Sequence, residues 1–120
     1  MTYLVLCILI FSCQPDPYRQ GRVLYEVHCA NCHMEDGSGL SKLIPSLVQS
    51  EVIKADPSLL VCLIRNGLPR NEATNQQMPP NTILNDVEIT NLINYLRNLY
   101  LPESSAVKVI DIRKDLEKFS

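Results

Sequence analysis

The chain has 120 residues, of which 46% are hydrophobic and 20% are charged, and its side chains carry a net charge of −2. This length and composition are typical of one globular domain with short appendages. No cluster of Lys or Arg forms a basic stripe, which argues against nucleic acid as a partner. There is no Trp, and the only Phe are Phe11 and Phe119, so a domain of this size would have a thin core of its own.

The first eleven residues are nearly all apolar. This run is too short to span a bilayer, which takes roughly 20 residues, and it is typical of a secretory signal. The sequence IFSC at 10–13 resembles a bacterial lipoprotein cleavage site, in which a small residue precedes the Cys that becomes lipidated. We therefore predict a signal peptide over residues 1–12 and lipidation of Cys13. The alternatives are an ordinary export signal, or a buried N-terminal helix with Cys13 as a bystander.

Residues 13–17 are predicted to form a tether that leads into the first helix. Asp16-Pro17 has the composition of a helix start, with Asp as N-cap and Pro at the first position. The helix is expected from Tyr18 to about Cys29. Its expected apolar side consists of Val23, Leu24 and Val27, with Tyr25 beside them. Gly21 disfavours a helix by about 1 kcal/mol relative to Ala, so it is expected to permit close approach of another helix.

The segment from Cys29 to His33 reads C-x-x-C-H, the pattern of c-type haem attachment. On a helical turn, the thiols of Cys29 and Cys32 lie on roughly one side and can reach two neighbouring vinyl groups of a haem. His33 can then bind the iron as the proximal ligand. A covalently held porphyrin would also supply the apolar centre that the composition lacks.

Three other interpretations of this segment stay open. A zinc site could draw on its Cys and His residues, on His28 and on the distant Cys62, although no second C-x-x-C or H-x-x-x-H pair is present. A thioredoxin-like redox pair needs a β–α–β context, which the surrounding sequence does not supply. The third interpretation is a structural disulfide or free thiols.

The middle of the chain alternates turns with one predicted helix. A Gly-punctuated turn over residues 34–39 leads into an expected extended loop from Leu40 to Ser50. Asp56-Pro57 again has the composition of a helix start, and Asn66-Gly67 predicts the end of that helix. Cys62 lies inside it and is expected to be a small buried hydrophobic residue.

A long helix and an ambiguous tail complete the chain. Asn85 is predicted to cap the helix, with Glu88 completing a capping box, and Pro102 ends it. Its apolar residues recur at helical spacing at Ile89, Leu92, Ile93, Leu96, Leu99 and Tyr100. The tail from 106 to 120 is expected to end in a small helix that covers part of the domain.

A haem iron bound by one His needs a second axial ligand. His28 lies within the attachment turn and cannot easily reach the opposite face, and Met34 directly follows the proximal His. Met78 lies in the polar, irregular segment 68–83, where the following Pro79-Pro80 stiffens the backbone. Met78 is therefore the predicted distal ligand, and a Met merely packed under a loop is the alternative.

Together these motifs resemble the class I c-type cytochromes over residues 18–101. The matching positions are Gly21, Tyr25 and Cys29 in the first helix, Gly37 and Gly39, Pro45 and Leu47, Ile64 and Gly67, Met78 and Pro79, and Leu92 and Tyr95 in the last helix. The first-helix motif of the family has either Phe or Tyr at the position of Tyr25. One departure is Met34, where many members have Gly.

The resemblance implies an all-α cytochrome c fold, with at least three helices around one covalently attached haem c and residues 102–120 as a C-terminal extension. It also implies that the carbonyl of Pro45 accepts a hydrogen bond from His33 and so orients it. With His33 and Met78 both on the iron, no position is free for a substrate. The expected function is therefore electron transfer rather than catalysis.

Redox proteins that donate and accept electrons are the expected transient partners. The expected location is the periplasmic side of a bacterial membrane, with a lipid on Cys13 as anchor. Two alternatives for the function stay open. One is a gas- or redox-sensing domain in which Met78 leaves the iron, and the other is a haem subunit of a larger oxidoreductase that docks through the tail.

Overall fold

A computed structural model of the chain describes residues 14–119, and this part of the protein is helical. Its six helices are α1 (Arg19–His28), α2 (Ala30–His33), α3 (Glu51–Lys54), α4 (Pro57–Asn66), α5 (Asp86–Tyr100) and α6 (Val109–Lys118). Within the same range, the only β-structure is two isolated bridges, Leu40–Ile44 and Leu68–Met78. The predicted all-α fold is confirmed. The predictions for residues 1–12 and for Cys13 lie outside the described residues.

Helices α1 and α5 cross at Gly21. A Cβ atom at this position would collide with the backbone carbonyl of Asn91 and with the side chain of Tyr95. One turn further along α1, the ring of Tyr25 packs against Tyr95 with 5.8 Å between ring centroids. The expectation that Gly21 permits a close helix approach is therefore confirmed.

The sequence misjudged both the start and the buried side of α1. The helix begins at Arg19 rather than Tyr18, because Asp16 Oδ1 accepts a hydrogen bond from the backbone N–H of Tyr18 at 2.9 Å and forms a local turn in place of an N-cap. The buried residues of α1 are Gly21 and Tyr25, whereas Val23 is 46% and Val27 is 67% exposed. Since two residues rotate a helix by about 200°, contact through Gly21 and Tyr25 turns the two valines outward.

The other helix ends follow the predicted capping chemistry. Asp56 Oδ1 accepts a hydrogen bond from Ser58 N–H at 3.0 Å, with Pro57 at the first position of α4. Asn85 and Glu88 form both hydrogen bonds of a capping box at α5, at 3.0 and 2.9 Å. The four-residue helix α3 lies directly after the predicted loop and was not expected.

The tail ends in α6, which packs against α4 and α5 and buries Ile112 completely. Asn94 on α5 exchanges two hydrogen bonds with the backbone of Val107, at 3.0 and 2.7 Å. Arg113 pairs with Asp86 at 2.6 Å. The expected covering helix is therefore present. The core to which it adds consists of Tyr25, Ile53, Leu60, Val61, Ile64, Leu84, Ile89, Leu92, Ile93 and Leu96.

Candidate functional site

The predicted attachment residues lie on a helical turn between α1 and the end of α2. Backbone hydrogen bonds join His33 N–H to the carbonyl of Cys29 at 2.9 Å, and Met34 N–H to that of Ala30 at 2.9 Å. Cys29 is half-buried, Cys32 is exposed, and the two are not joined by a disulfide. Their spacing on this turn suits addition to two neighbouring vinyl groups.

His33 directs one ring nitrogen to the protein. Its Nδ1 lies 3.2 Å from the backbone carbonyl oxygen of Pro45, which fits an Nδ1–H donor and leaves Nε2 to bind a metal. Burial lowers the pKa of His33, and the hydrogen bond to Pro45 opposes this shift. The half-buried ring therefore favours the neutral form, which is the form that binds iron.

A tight turn after His33 brings Pro45 into place. The backbone N–H of Gly39 donates to the carbonyl of His33 at 3.0 Å, and Gly39 has a φ of 72°. A Cβ atom at Gly39 would collide with the carbonyl of Ile44 and with that of Pro45. Leu47 N–H binds the carbonyl of Gly37 at 2.7 Å and closes the turn. The absence of a side chain at Gly39 thus permits the approach of the Pro45 carbonyl.

The backbone of Met78 is tied to the end of α4. Leu68 N–H donates to the carbonyl of Met78 at 2.8 Å. Gly67 has a φ of 68°, and a Cβ atom there would collide with the carbonyl of Met78 and approach Pro79 and Pro80 at 2.8 Å. Three residues later, Asn81 N–H donates to the carbonyl of Ile64 at 2.9 Å. The half-buried Met78 therefore sits on a backbone that is tied at its own carbonyl and again at Asn81.

Between Leu68 and Met78, residues 70–76 form a turn that is held by hydrogen bonds among its own residues. Arg70 donates to Asn75 Oδ1 at 2.7 Å, and Asn75 N–H donates to the carbonyl of Asn71 at 2.8 Å. The side chain of Asn71 accepts from the backbone N–H of Ala73 at 2.9 Å and of Thr74 at 3.2 Å.

Asn81 connects the Met78 segment to the attachment turn. Its Nδ2 lies 3.4 Å from Nδ1 of His28, the residue before Cys29. The guanidinium of Arg65 donates to the carbonyls of Asn81 at 2.9 Å and Leu84 at 2.8 Å. The two predicted halves of the site are therefore linked through protein atoms.

The alternatives to haem attachment find less support. Across residues 14–119, no three His, Cys, Asp or Glu side chains converge into a group that could hold a metal ion by themselves. Cys62 is half-buried on α4, where its sulfur accepts a 3.6 Å contact from Asn66. Burial, reinforced by nearby Cys32, raises the pKa of the Cys29 thiol to about 11. A reactive redox cysteine has the opposite shift.

The residues present fit a covalently bound haem in the chemistry of their donors. Two thiols and an imidazole share one turn, the imidazole keeps Nε2 for a metal, and a thioether stands on a fixed backbone. Residues 16–96 match the family described as "Cytochrome C oxidase, cbb3-type, subunit III". The chain belongs to this family of c-type cytochromes.

The cytochrome is also similar to a curated protein, "Alcohol dehydrogenase (quinone), cytochrome c subunit" of Gluconobacter oxydans (strain 621H). The two are 32% identical over 83 residues, which are 64% of this chain and 17% of that relative. The chain thus spans less than a fifth of the length of the relative. The predicted family, its covalent haem c and haem-based electron transfer are confirmed. The individual roles of Cys29, Cys32, His33, Pro45 and Met78 stay predictions.

Sequence reasoning missed two tyrosine hydroxyls in this region. Tyr25 donates to the carbonyl of Met34 at 2.6 Å, and Tyr100 donates to that of Asp36 at 3.1 Å. Tyr25 was expected only to pack, and Tyr100 was one apolar position of a periodic helix. No local signal reports a hydrogen bond between residues 64 positions apart.

Among residues 14–119, no helix has the length and apolar character needed to cross a bilayer.

Proposed function

We propose that this cytochrome carries single electrons on one haem c, attached at Cys29 and Cys32, with His33 and Met78 as the two axial ligands. The bound haem would supply a one-electron iron couple, and thioether ligation raises the potential of such a couple. The observation that carries the proposal is the 3.2 Å contact between His33 Nδ1 and the carbonyl of Pro45. It fixes the ring and selects Nε2 for the metal.

The distal side favours a closed site over a sensor in which Met78 leaves the iron. The ties through Gly67, Leu68 and Asn81 hold the Met78 backbone in one place. A ligand on a fixed backbone rebinds quickly and is displaced with difficulty. We therefore propose that the chain is an electron carrier and has no catalytic reaction of its own.

Optical spectra of the purified, reduced protein under carbon monoxide test this proposal. The wild type is expected to stay low-spin and unaffected by the gas, because both axial positions are filled. The Met78→Ala variant is the positive control and should bind the gas. A gas-shifted spectrum of the wild type would contradict the closed site and favour the sensor.

A second candidate is a role as haem subunit of a larger oxidoreductase. The similarity to a cytochrome c subunit of a quinone alcohol dehydrogenase supports it. In native membranes solubilised with detergent, a subunit would migrate on a sizing column with a dehydrogenase in constant ratio. A free carrier would elute apart from the dehydrogenase, at the size of one small haem protein with its bound detergent.

We also propose that partners dock through a surface beside the site that is defined by two exposed apolar residues, Val27 and Ile83, and two polar residues without a formal charge, His28 and Asn81. Val27 is 67% and Ile83 is 81% exposed, and the contact between His28 and Asn81 joins them. Residues 27–34 and 74–85 contain no Asp, Glu, Lys or Arg. The partner that matches such a surface is a redox protein whose own rim is uncharged and apolar.

Electron transfer should then depend little on ionic strength. Ile83→Lys should slow reaction with a partner and leave the potential unchanged, whereas Ile110→Lys on the remote helix α6 should change neither. A steep fall in rate with salt in the wild type would contradict the uncharged surface.

The sequence at 10–13 supports export and lipidation of Cys13, which would hold the haem domain (18–101) and its C-terminal extension (102–120) at the periplasmic face of a membrane. Cys13→Ser should release the protein into the soluble periplasmic fraction. Unchanged membrane association of this variant would remove lipidation from the proposal.

A further inference from the structure

Two hydroxyls hold the chain directly after His33. Tyr25, on α1, donates to the carbonyl of Met34 at 2.6 Å, and Tyr100, the last residue of α5, donates to the carbonyl of Asp36 at 3.1 Å. Burial is the main cause of a raised pKa in both tyrosines, so both hydroxyls keep their protons. The two crossing helices therefore reach the same short segment through one hydrogen bond each.

Packing alone does not require these hydroxyls. Tyr25 is 1% exposed and its ring packs against Tyr95 of α5, and a Phe ring would fill the same space. Met34, the residue bound by its hydroxyl, has φ 67° and ψ 162°, a conformation that is strained for any residue other than Gly. The hydrogen bond from Tyr25 thus stabilises a backbone conformation at Met34 that is unfavourable in its absence.

The held segment leads to the acceptor of the His33 hydrogen bond. A Cβ atom at Gly37 would collide with the hydroxyl of Tyr100, so this hydroxyl lies against the backbone. The carbonyl of Gly37 accepts from Leu47 N–H at 2.7 Å and from Ser46 Oγ at 3.3 Å. These two residues directly follow Pro45. A shift of residues 34–37 therefore moves Pro45 relative to His33.

We propose that Tyr25 and Tyr100 are positioning residues that keep the Pro45 carbonyl within hydrogen-bond distance of His33 and thereby lower the reduction potential of the haem iron. The proposal rests on the proposed function, in which His33 binds the iron. An Nδ1–H···O bond makes the imidazole a stronger donor to the iron, which favours the ferric state. Loss of either hydroxyl loosens the acceptor, weakens this donation and raises the potential.

The test uses the full-length, haem-loaded protein with Tyr25→Phe and Tyr100→Phe. Tyr95→Phe is the matched control, since its ring also lies at the helix crossing. We would measure the potential by spectroelectrochemical titration and the Nδ1–H proton of His33 by NMR in the diamagnetic ferrous state. We expect a higher potential, an upfield proton and faster exchange of that proton in both variants, and wild-type values in the control.

Wild-type potential and proton shift in both variants would overturn the proposal, as would an equal change in Tyr95→Phe, which would indicate general loosening of the crossing. If Tyr25→Phe fails to fold, Tyr100→Phe decides, because Tyr100 is the less buried of the two. Measurements on the wild type distinguish failure of the proposed axial ligands from failure of the proposed tyrosine role. A wild type that binds carbon monoxide or shows no His33 signal overturns the proposed ligand set, whereas unchanged Phe variants of a closed wild type overturn only the tyrosine role.

Discussion

The proximal and distal segments of the site are held in different ways. On the proximal side, a ring nitrogen, two tyrosine hydroxyls and a compact glycine turn converge on the residues around His33. On the distal side, the bonds reach the backbone of Met78 and residue Asn81, through Leu68, Ile64 and Arg65, and none of them orients the Met78 side chain. The difference follows from the two side chains. An imidazole has a second nitrogen through which the protein can orient it, whereas a thioether offers only a weak acceptor.

The largest effect should come from removal of the two thiols that we propose as the covalent haem attachment on the proximal side. In a Cys29→Ala, Cys32→Ala double variant, no thioether can form, so haem should be lost when the protein is denatured. Mass spectrometry of the denatured protein measures this loss. Cys62→Ala is the matched control and should keep its haem, since that thiol lies on α4, outside the attachment motif.

A second variant disturbs the backbone contact between Gly67 and Met78 on the distal side and leaves the Met78 side chain in place. Gly67→Ala places a Cβ atom against the carbonyl of Met78 at a positive φ, so unfolding should become easier by about 1–3 kcal/mol. A fraction of the reduced protein should then bind carbon monoxide. Asn75→Gly, in the turn before Met78, should not bind the gas. A closed, fully stable Gly67→Ala protein would contradict the role of this contact.

A third variant tests the backbone strain in the turn on the proximal side. Met34→Gly removes the strain of φ 67°, and the gain outweighs the conformational entropy of the added glycine. The free energy of unfolding should rise by about 1 kcal/mol in chemical denaturation. Met34→Ala keeps the strained backbone and should show no gain. Equal stability of the two variants would show that the backbone conformation carries no cost.

The smallest effect concerns the ion pair between α5 and α6, away from both ligands. Hydrogen bonding to Arg113 lowers the pKa of Asp86 in the folded protein. Its contribution to stability is therefore present above the unfolded carboxyl pKa of about 3.9 and is lost as the pH falls through the lower folded value. Arg113→Gln should flatten this part of the acid unfolding curve, whereas Lys114→Gln should leave it unchanged.

The sequence predicted those elements whose signals are local. Capping residues marked the starts of α4 and α5, and a sustained apolar period marked the length of α5. Helix α3 has four residues, too few to show a period. The buried side of α1 depends on its contact with α5, and the valines gave a misleading local pattern.

The candidate site also contains residues with local sequence signals and contacts that depend on the whole fold. The candidate attachment residues are contiguous, and Met78 followed from the scarcity of other candidate ligands, so both could be proposed from the sequence. The approach of Pro45 to His33 was expected from the resemblance to a family, and the 3.2 Å contact agrees with it. The hydrogen bond from Tyr100 to Asp36 depends on the whole fold, and no short stretch of sequence encodes it.

The turn over residues 70–76 has a consequence for how such chains diverge and can be engineered. Asn71 and Asn75 form hydrogen bonds within the turn, so the conformation of the turn depends little on contacts with the rest of the protein. Doubling the length of a flexible loop costs only about 0.6 kcal/mol in closure entropy. Insertions should therefore accumulate here between related chains, and a fluorescent label or an electrode linker attached at this point would leave the redox centre intact.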